Sequence, residues 1–274
     1  MTRSIAIFGC GTIATEIARA IADGTISAGL DVVYDRHPEQ IAEIQDQFDD
    51  RSQPVAATDP DDLLEADLIV EAAGQTAVEE IATDALEAGC DCLLLSIGAL
   101  ADETLREGVF DAARTSEGRL YAPSGAIAGL DSIKAAALTG ELESVSLTTT
   151  KPPAGLEGAP YVVDNDIDLS EIDEPTMIFE GSATDAAAAF PSNINVAVAL
   201  SLVSIGPDET AVKIIADPDE ENNVHRISAD GGSGDIETTV RNVPSPTNPK
   251  TSYLAAVSAI EKLRSLETSI DIGT

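Results

Sequence analysis

The stretch GCGTIA at residues 9–14 constrains the fold of this chain more than any other feature. It matches the pattern G-x-G-x-x-G/A, follows the short apolar run SIAIFG (4–9) and opens a segment of helical period. Glycines at the first two positions allow a tight turn and a close approach of backbone N–H groups to a pyrophosphate at the helix N-terminus. The sequence therefore predicts a dinucleotide site that includes Gly9, Gly11, Thr12 and Ile13.

An acidic residue ends the second predicted strand, LDVVYD (30–35). Asp35 lies where a carboxylate accepts hydrogen bonds from the ribose hydroxyls of a dinucleotide, and it would repel a 2′-phosphate. Arg36, the next residue, could instead pair with that phosphate. We expect NAD to be the preferred cofactor and NADP to be accepted, and we assign no chemistry to His37.

The first 135 residues alternate short apolar, β-branched runs with helical patterns. The predicted strands are 4–9, 30–35, 53–58, 66–74, 92–98 and 119–125. Strands that alternate with helices of this length are typical of right-handed βαβ crossovers. We predict an α/β fold in which residues 1–135 form a dinucleotide-binding domain with a doubly wound parallel (Rossmann) sheet.

The pattern changes after about residue 140. The segments 143–153, 210–218, 223–231 and 235–243 are strand-like. The last two flank a GGSG turn, which favours an antiparallel hairpin. A second α+β domain with a mostly antiparallel sheet is therefore expected over residues 136–247, carrying the substrate site and the dimer contacts. The amphipathic segment 248–266 predicts a closing helix that packs back on the first domain.

Charge and cysteine content exclude several classes of protein. The formal net charge of −34 makes nucleic acid and anionic membranes poor partners, and no run of about 18 apolar residues predicts a membrane span. The N-terminus runs directly into the first strand without a signal-peptide pattern, so a cytoplasmic protein is expected. Acidic residues scattered along a chain with 43% hydrophobic residues suggest a host with a salty cytoplasm. The three cysteines, Cys10, Cys90 and Cys92, lack zinc-ligand spacing, and we predict no metal.

His225, in EENNVHRISADGG (220–232), is one of only two histidines in the chain. Its ordinary pKa near neutrality suits an acid/base, but a lone histidine on a strand is commonly structural, and the residues around it leave both readings open. The candidate cations for an anionic substrate are Lys151, Arg226, Arg241 and Lys250. Each of them could equally be a solvated surface charge.

Four stretches together give the chain a family resemblance: FGCGTIA, PSGAIAGLDSIKAA (123–136), FPSNINVAVALSL (190–202) and NPKTSYLAAVSAI (248–260). With the segment ADPDEENNVHRI, they resemble the L-aspartate dehydrogenase family across nearly the whole chain. The resemblance implies oxidative deamination of L-aspartate to oxaloacetate and ammonia through iminoaspartate, with NAD or NADP as hydride acceptor. It also implies that the protein is a homodimer. Its reaction is further expected to supply quinolinate and NAD synthesis.

The resemblance also implies roles for individual residues. It places Ala126 against the cofactor through its main chain, and Asn195 within reach of the nicotinamide amide. The position of Asn193 directly before the apolar helix predicts, independently of the resemblance, that it caps this helix. The resemblance makes His225 the acid/base, which takes a proton from the substrate ammonium group and then helps water to add to the imine.

Two rival functions remain open. One is another Rossmann amino-acid or semialdehyde oxidoreductase, such as an enzyme like homoserine dehydrogenase or dihydrodipicolinate reductase. The other is an NAD(H)-binding sensor that has lost its chemistry.

Overall fold

The structure, a computed structural model, describes residues 2–191, 194–245, 252–270 and 272. Two units are distinguished by their internal contacts. The first runs to Pro123 and includes Ala255–Ile272, and the second runs from Ser124 to Leu254. This division precedes the expected boundary at residue 135, because the segment after Pro123 is hydrogen-bonded within the second unit: Asn242 donates to the Ala126 carbonyl and Thr238 to the Ala128 carbonyl.

The strands, in chain order, are β1 (Ser4–Phe8), β2 (Gly29–Tyr34), β3 (Val55–Ala56), β4 (Leu68–Glu71), β5 (Asp91–Leu94), β6 (Leu120–Tyr121), β7 (Leu142–Lys151), β8 (Thr176–Ser182), β9 (Ala211–Ala216), β10 (Asn223–Gly231) and β11 (Ile236–Asn242). The α-helices are α1 (Thr12–Ala22), α2 (Pro38–Gln45), α3 (Gln75–Glu87), α4 (Glu103–Thr115), α5 (Leu130–Ala137), α6 (Pro160–Asp164), α7 (Ala183–Ala189), α8 (Asn195–Leu202) and α9 (Tyr253–Glu267). Short 3₁₀ helices occupy Pro60–Glu65, Ile97–Ala101, Pro153–Leu156 and Leu169–Glu171.

A parallel sheet forms the centre of the first unit, with strand order β3-β2-β1-β4-β5-β6. Alternate residues of β1 enter different cores: Ile5 and Ile7 pack on one face, and Ala6 and Phe8 on the other. Burial on both faces explains why these strands read as continuous apolar runs. The predicted doubly wound sheet is confirmed.

Helix α9 contributes to the core of the first unit. Its residues Ala259 and Leu263 are buried in the cluster that contains Ile5, Ile7 and residues of α1. Arg3 at the start of the chain also forms an ion pair with Glu267, with Nε and Oε1 3.0 Å apart. The end of the chain therefore folds with its beginning; the predicted start of this helix, 248–251, lies outside the described residues.

A mixed sheet forms the centre of the second unit, with strand order β11-β10-β7-β9-β8. β7 and β9 are parallel, whereas the other neighbours are antiparallel. The predicted hairpin is confirmed as β10 and β11, paired from Asn223↔Asn242 to Ala229↔Ile236. Strand β8 was not predicted. In the described part of the chain, no helix has the length and apolarity that a membrane crossing requires.

Candidate functional site

The predicted glycine turn joins β1 to α1. Gly9 has φ +96°, and a Cβ there would come within 2.5 Å of the Ala73 backbone, so both conformation and space require glycine. Gly11 precedes α1 as its N-cap, and a Cβ there would meet no atom within 4 Å. Thr12 and Ile13 form the first residues of the helix. The turn therefore leaves open space in front of a helix N-terminus, as binding of a pyrophosphate requires.

Asp35 is held in place by two backbone hydrogen bonds. Its Oδ2 accepts from the Cys10 N–H and its Oδ1 from the His37 N–H, each at 2.7 Å. The first bond ties the carboxylate directly to the glycine turn. Each carboxylate oxygen has a second lone pair, so Asp35 can still accept hydrogen bonds from two hydroxyls.

A cavity of about 270 Å³ lies beside this turn in the first unit. Its lining includes Gly11, Asp35, Arg36, His37 and Thr76. A carboxylate fixed at the end of β2 beside an open glycine turn fits the adenosine ribose of a dinucleotide. The residues of the first unit therefore fit a nicotinamide dinucleotide, and Gly9, Gly11, Thr12, Ile13 and Asp35 are those that would hold it.

Arg36 forms an ion pair with Glu80 of α3. Both side chains are substantially exposed, and the pairing raises the pKa of Arg36. The guanidinium that could have bound a 2′-phosphate is thereby engaged by a carboxylate of the same unit.

Glu71, at the end of β4, is a feature that the sequence analysis missed. Its carboxylate is completely buried and accepts hydrogen bonds from the backbone N–H groups of Ala73, Gly74 and Ser96 and from the Ser96 hydroxyl. Burial raises its pKa, and these hydrogen bonds oppose the rise. One carboxylate thus holds together the loops after β4 and β5; the signal was an acidic residue directly after the apolar run LIV.

His225 is buried on β10, with 5% of its surface exposed. Its Nδ1 lies 3.0 Å from the Oγ1 of Thr149, the residue directly opposite it on β7. Thr149 is also buried, and the sequence analysis did not single it out. The hydrogen bond fixes the orientation of the ring and leaves Nε2 as the nitrogen that can exchange a proton with a ligand.

Lys151 lies two residues beyond Thr149 on β7, and therefore on the same face of the sheet as His225. It is 8% exposed, and burial lowers its pKa to about 8. Burial and the charge of Lys151 together lower the pKa of His225 to about 4. At neutral pH the imidazole is therefore neutral, which is the form a general base needs.

Ala126 and Asn195 also lie in the second unit. The predicted strand 119–125 is too long, because β6 ends at Tyr121, and a loop leads from it to α5, which begins at Leu130. Ala126 lies in the intervening loop, where its carbonyl accepts a 3.0 Å hydrogen bond from Asn242 Nδ2. Asn195 is the first residue of α8, and its side chain is exposed. Their cofactor contacts remain predictions, and the capping role of Asn193 lies outside the described residues.

The remaining candidate cations lie elsewhere. Arg226 is exposed and follows His225 on β10, so it faces the opposite side of the sheet. Arg241 forms an ion pair with Glu220 at 2.9 Å. Lys250 lies outside the described residues. Cys10, Cys90 and Cys92 are buried free thiols, and over the described residues no cluster of three or more His, Cys, Asp or Glu side chains could hold a metal.

Two family models match separate parts of the chain. Residues 9–123 match the model described as "Homoserine dehydrogenase, NAD binding domain", and residues 131–266 match "Aspartate dehydrogenase, C-terminal". Thr149, Lys151 and His225 all lie in the region that matches the aspartate dehydrogenase model.

Curated relatives match over nearly the full length. The chain is 46% identical over 270 residues to an L-aspartate dehydrogenase of Methanococcoides burtonii, covering 98% of this chain and 99% of that one. It is 41% identical over 273 residues to an L-aspartate dehydrogenase of Nitrosopumilus maritimus, covering 99% and 100%. Among solved structures, an aspartate dehydrogenase from Thermotoga maritima matches with a TM-score of 0.78, 27% identity and complete coverage of both chains. A homoserine dehydrogenase from Thiobacillus denitrificans, with a TM-score of 0.63 and 11% identity, covers 97% of this chain and 73% of its own and shares the fold.

Proposed function

Because the chain belongs to the L-aspartate dehydrogenase family, we propose that it catalyses the NAD(P)-dependent oxidative deamination of L-aspartate to oxaloacetate and ammonia through iminoaspartate. The observation that carries this proposal is the buried His225, which is oriented by Thr149 within the region that matches the aspartate dehydrogenase model. A general base needs a neutral, oriented imidazole, whereas an NAD(H)-binding sensor does not require one.

The first unit supplies the cofactor site in this proposal. Backbone N–H groups of Gly11, Thr12 and Ile13 bind the pyrophosphate, and Asp35 binds the adenosine ribose. Bound NAD supplies a nicotinamide ring that accepts hydride from the substrate Cα. The family resemblance implies that Ala126 and Asn195 contact the nicotinamide half of the cofactor.

His225 supplies the proton transfers. In the base-competent tautomer, Nδ1–H donates to Thr149 Oγ1, and the Nε2 lone pair accepts a proton from the substrate ammonium group. The resulting free amine can release hydride from Cα. Once solvent has taken that proton from Nε2, the same nitrogen accepts a proton from the water that adds to the imine. The imidazolium then returns this proton to the amino group as it leaves, which gives oxaloacetate and ammonia.

Several finer proposals accompany this activity. The fixed Asp35 and the paired Arg36 support NAD as the preferred cofactor, with NADP accepted less well. The family resemblance supports a cytoplasmic homodimer that feeds quinolinate and NAD synthesis, with the dimer contacts in residues 136–247. The net charge of −34 supports a host with a salty cytoplasm.

A spectrophotometric assay tests the proposed activity. We expect NADH oxidation in the presence of oxaloacetate plus ammonia, and none when either is left out. NADH binding without ammonia-dependent oxidation would favour the sensor. Oxidation that responds to an aldehyde substrate such as aspartate semialdehyde, and not to ammonia, would favour the other Rossmann oxidoreductases.

A further inference from the structure

The second unit has one sheet face on which a cation and the proposed base lie together. Residues Leu147, Thr149 and Lys151 alternate along β7 and therefore share a face, and His225 is paired directly with Thr149 across the antiparallel ladder. Lys151 and His225 are both buried there. Their registers place them at a diagonal cross-strand position, within reach of a long side chain.

The surroundings of Lys151 are mostly apolar. Lys151 and Thr149 line a small cavity of about 10 Å³ over this face. The other described residues of the lining carry no charge: Leu147, Leu156, Phe190, Ile194, Ala197, Val212 and Ile214. An ammonium group in such surroundings has lost much of its hydration, which costs free energy. A residue needed only to fill this space could be methionine or leucine, so the retained charge requires a chemical reason.

The substrate of the proposed reaction supplies that reason. L-aspartate and oxaloacetate each carry two carboxylates, whereas the chain has a formal net charge of −34 and repels anions over most of its surface. A dianion needs a local cation beside the reacting centre. Among the described candidate cations, Arg226 faces away from His225 and Arg241 is paired with Glu220. Lys151 is the candidate that lies on the same sheet face as His225.

We propose that Lys151 binds one carboxylate of the dicarboxylate substrate next to His225 and thereby selects a dianionic substrate. This inference rests on the proposed function and deepens it. The ammonium group donates charge-assisted hydrogen bonds to the carboxylate, and the low polarity of the surroundings strengthens them.

The same contact links substrate binding to the base. In the free protein, the positive charge of Lys151 contributes to the low pKa of His225. A carboxylate bound to Lys151 cancels that charge and favours the imidazolium form, because an opposite charge nearby stabilises it. Substrate binding therefore raises the pKa of His225 toward the range in which it can take a proton.

Substitution of Lys151 tests this inference by steady-state kinetics. For Lys151→Met we expect KM for L-aspartate and for oxaloacetate to rise by roughly 10- to 150-fold, the loss of one hydrogen bond to a charged group. NADH affinity stays within twofold of the wild type. Lys151→Arg recovers part of the lost affinity because it keeps the charge. Lys213→Met is the matched control: Lys213 lies on β9 of the same sheet and pairs with Glu180 at 2.9 Å, and its KM should not change.

An NMR titration gives a second readout that a structural role would not move. The chain has only two histidines, so the His225 ring is readily assigned. We expect succinate, a non-reactive dicarboxylate, to raise the titration midpoint of His225 in the wild type but not in Lys151→Met. Propionate, with one carboxylate, should do so only at much higher concentration.

The outcomes separate this inference from the proposed function. A wild type without ammonia-dependent oxidation refutes the proposed function. An active wild type whose folded Lys151→Met variant keeps a normal KM refutes the role of Lys151 alone. If Lys151→Met does not fold, the wild-type titration decides: a His225 midpoint that succinate leaves unchanged overturns the inference.

Discussion

Thr149 Oγ1 and His225 Nδ1 lie 3.0 Å apart on neighbouring antiparallel strands, and both side chains are buried. Thr149 is the partner of one ring nitrogen, so the other is the one available to a substrate. This relationship gives the proposed base a fixed orientation, and it leads to the first two predictions.

Replacement of His225 by alanine should lower kcat by about 10²- to 10⁴-fold, the usual contribution of a general base. NADH affinity should stay unchanged, because none of the residues assigned to cofactor binding is altered. Steady-state kinetics in both directions and NADH fluorescence titration measure the two quantities. A loss of kcat below about threefold would defeat the assignment of His225.

Thr149→Val removes the hydroxyl while keeping the shape of the side chain. We expect kcat to fall by roughly tenfold, since a hydrogen bond of about 1 kcal/mol that selects the tautomer and the ring orientation is lost. Nitrogen-15 NMR should show a mixture of imidazole tautomers in the variant. Thr148→Val is the control, because Thr148 lies on the same strand opposite Arg226 and faces away from His225; equal losses in both variants would argue against the orienting role.

His225 should make the protein less stable in mild acid. Its pKa is about 4 in the folded protein and about 6.5 when unfolded, so between these values the unfolded state binds more protons. Stability from this residue is complete above about pH 6.5 and decreases as the pH falls toward 4, by on the order of 3 kcal/mol. Urea unfolding from pH 4 to 7 should show a steeper acid loss for the wild type than for His225→Asn. Parallel curves for the two proteins would contradict this.

Glu80→Gln should increase the use of NADP. The substitution breaks the ion pair with Arg36, and the released guanidinium can then pair with a 2′-phosphate beside the cavity. We expect KM for NADP to fall several-fold, with KM for NAD nearly unchanged, in steady-state kinetics with both cofactors. Glu79→Gln, on the exposed surface of the same helix, serves as the control. A wild type that prefers NADP by a hundredfold would overturn the cofactor assignment from the start.

Glu71→Gln should destabilise the first unit by about 1–3 kcal/mol, because an amide N–H₂ would replace one of the two oxygens that accept hydrogen bonds from Ala73, Gly74 and Ser96. The loops after β4 and β5 would lose their common anchor, so NADH affinity should fall as well. Urea unfolding and NADH titration measure both effects. A variant with wild-type stability would show that the carboxylate is not needed in ionised form.

Local pattern was sufficient to predict much of this protein. The turn at Gly9 and Gly11, the position of Asp35, the βαβ alternation and the β10–β11 hairpin all follow from residues close together in sequence. Their backbone geometry depends on glycine conformations, on strand and helix periods and on short turns. Strand β8 was missed because an edge strand with Met177 exposed has no strong alternation.

Tertiary structure decided which side chains act together. Thr149 and His225 are 76 residues apart, and their contact depends on the register between β7 and β10, which no local pattern encodes. The same register places Lys151 on the sheet face of His225 and Arg226 on the opposite face. From the sequence alone, the two residues were equal candidates for the cation that binds an anionic substrate. Glu71 and Ser96 are likewise joined only by the pairing of β4 with β5. Sequence periodicity determines where strands form, whereas the packing of distant strands determines which buried polar groups meet.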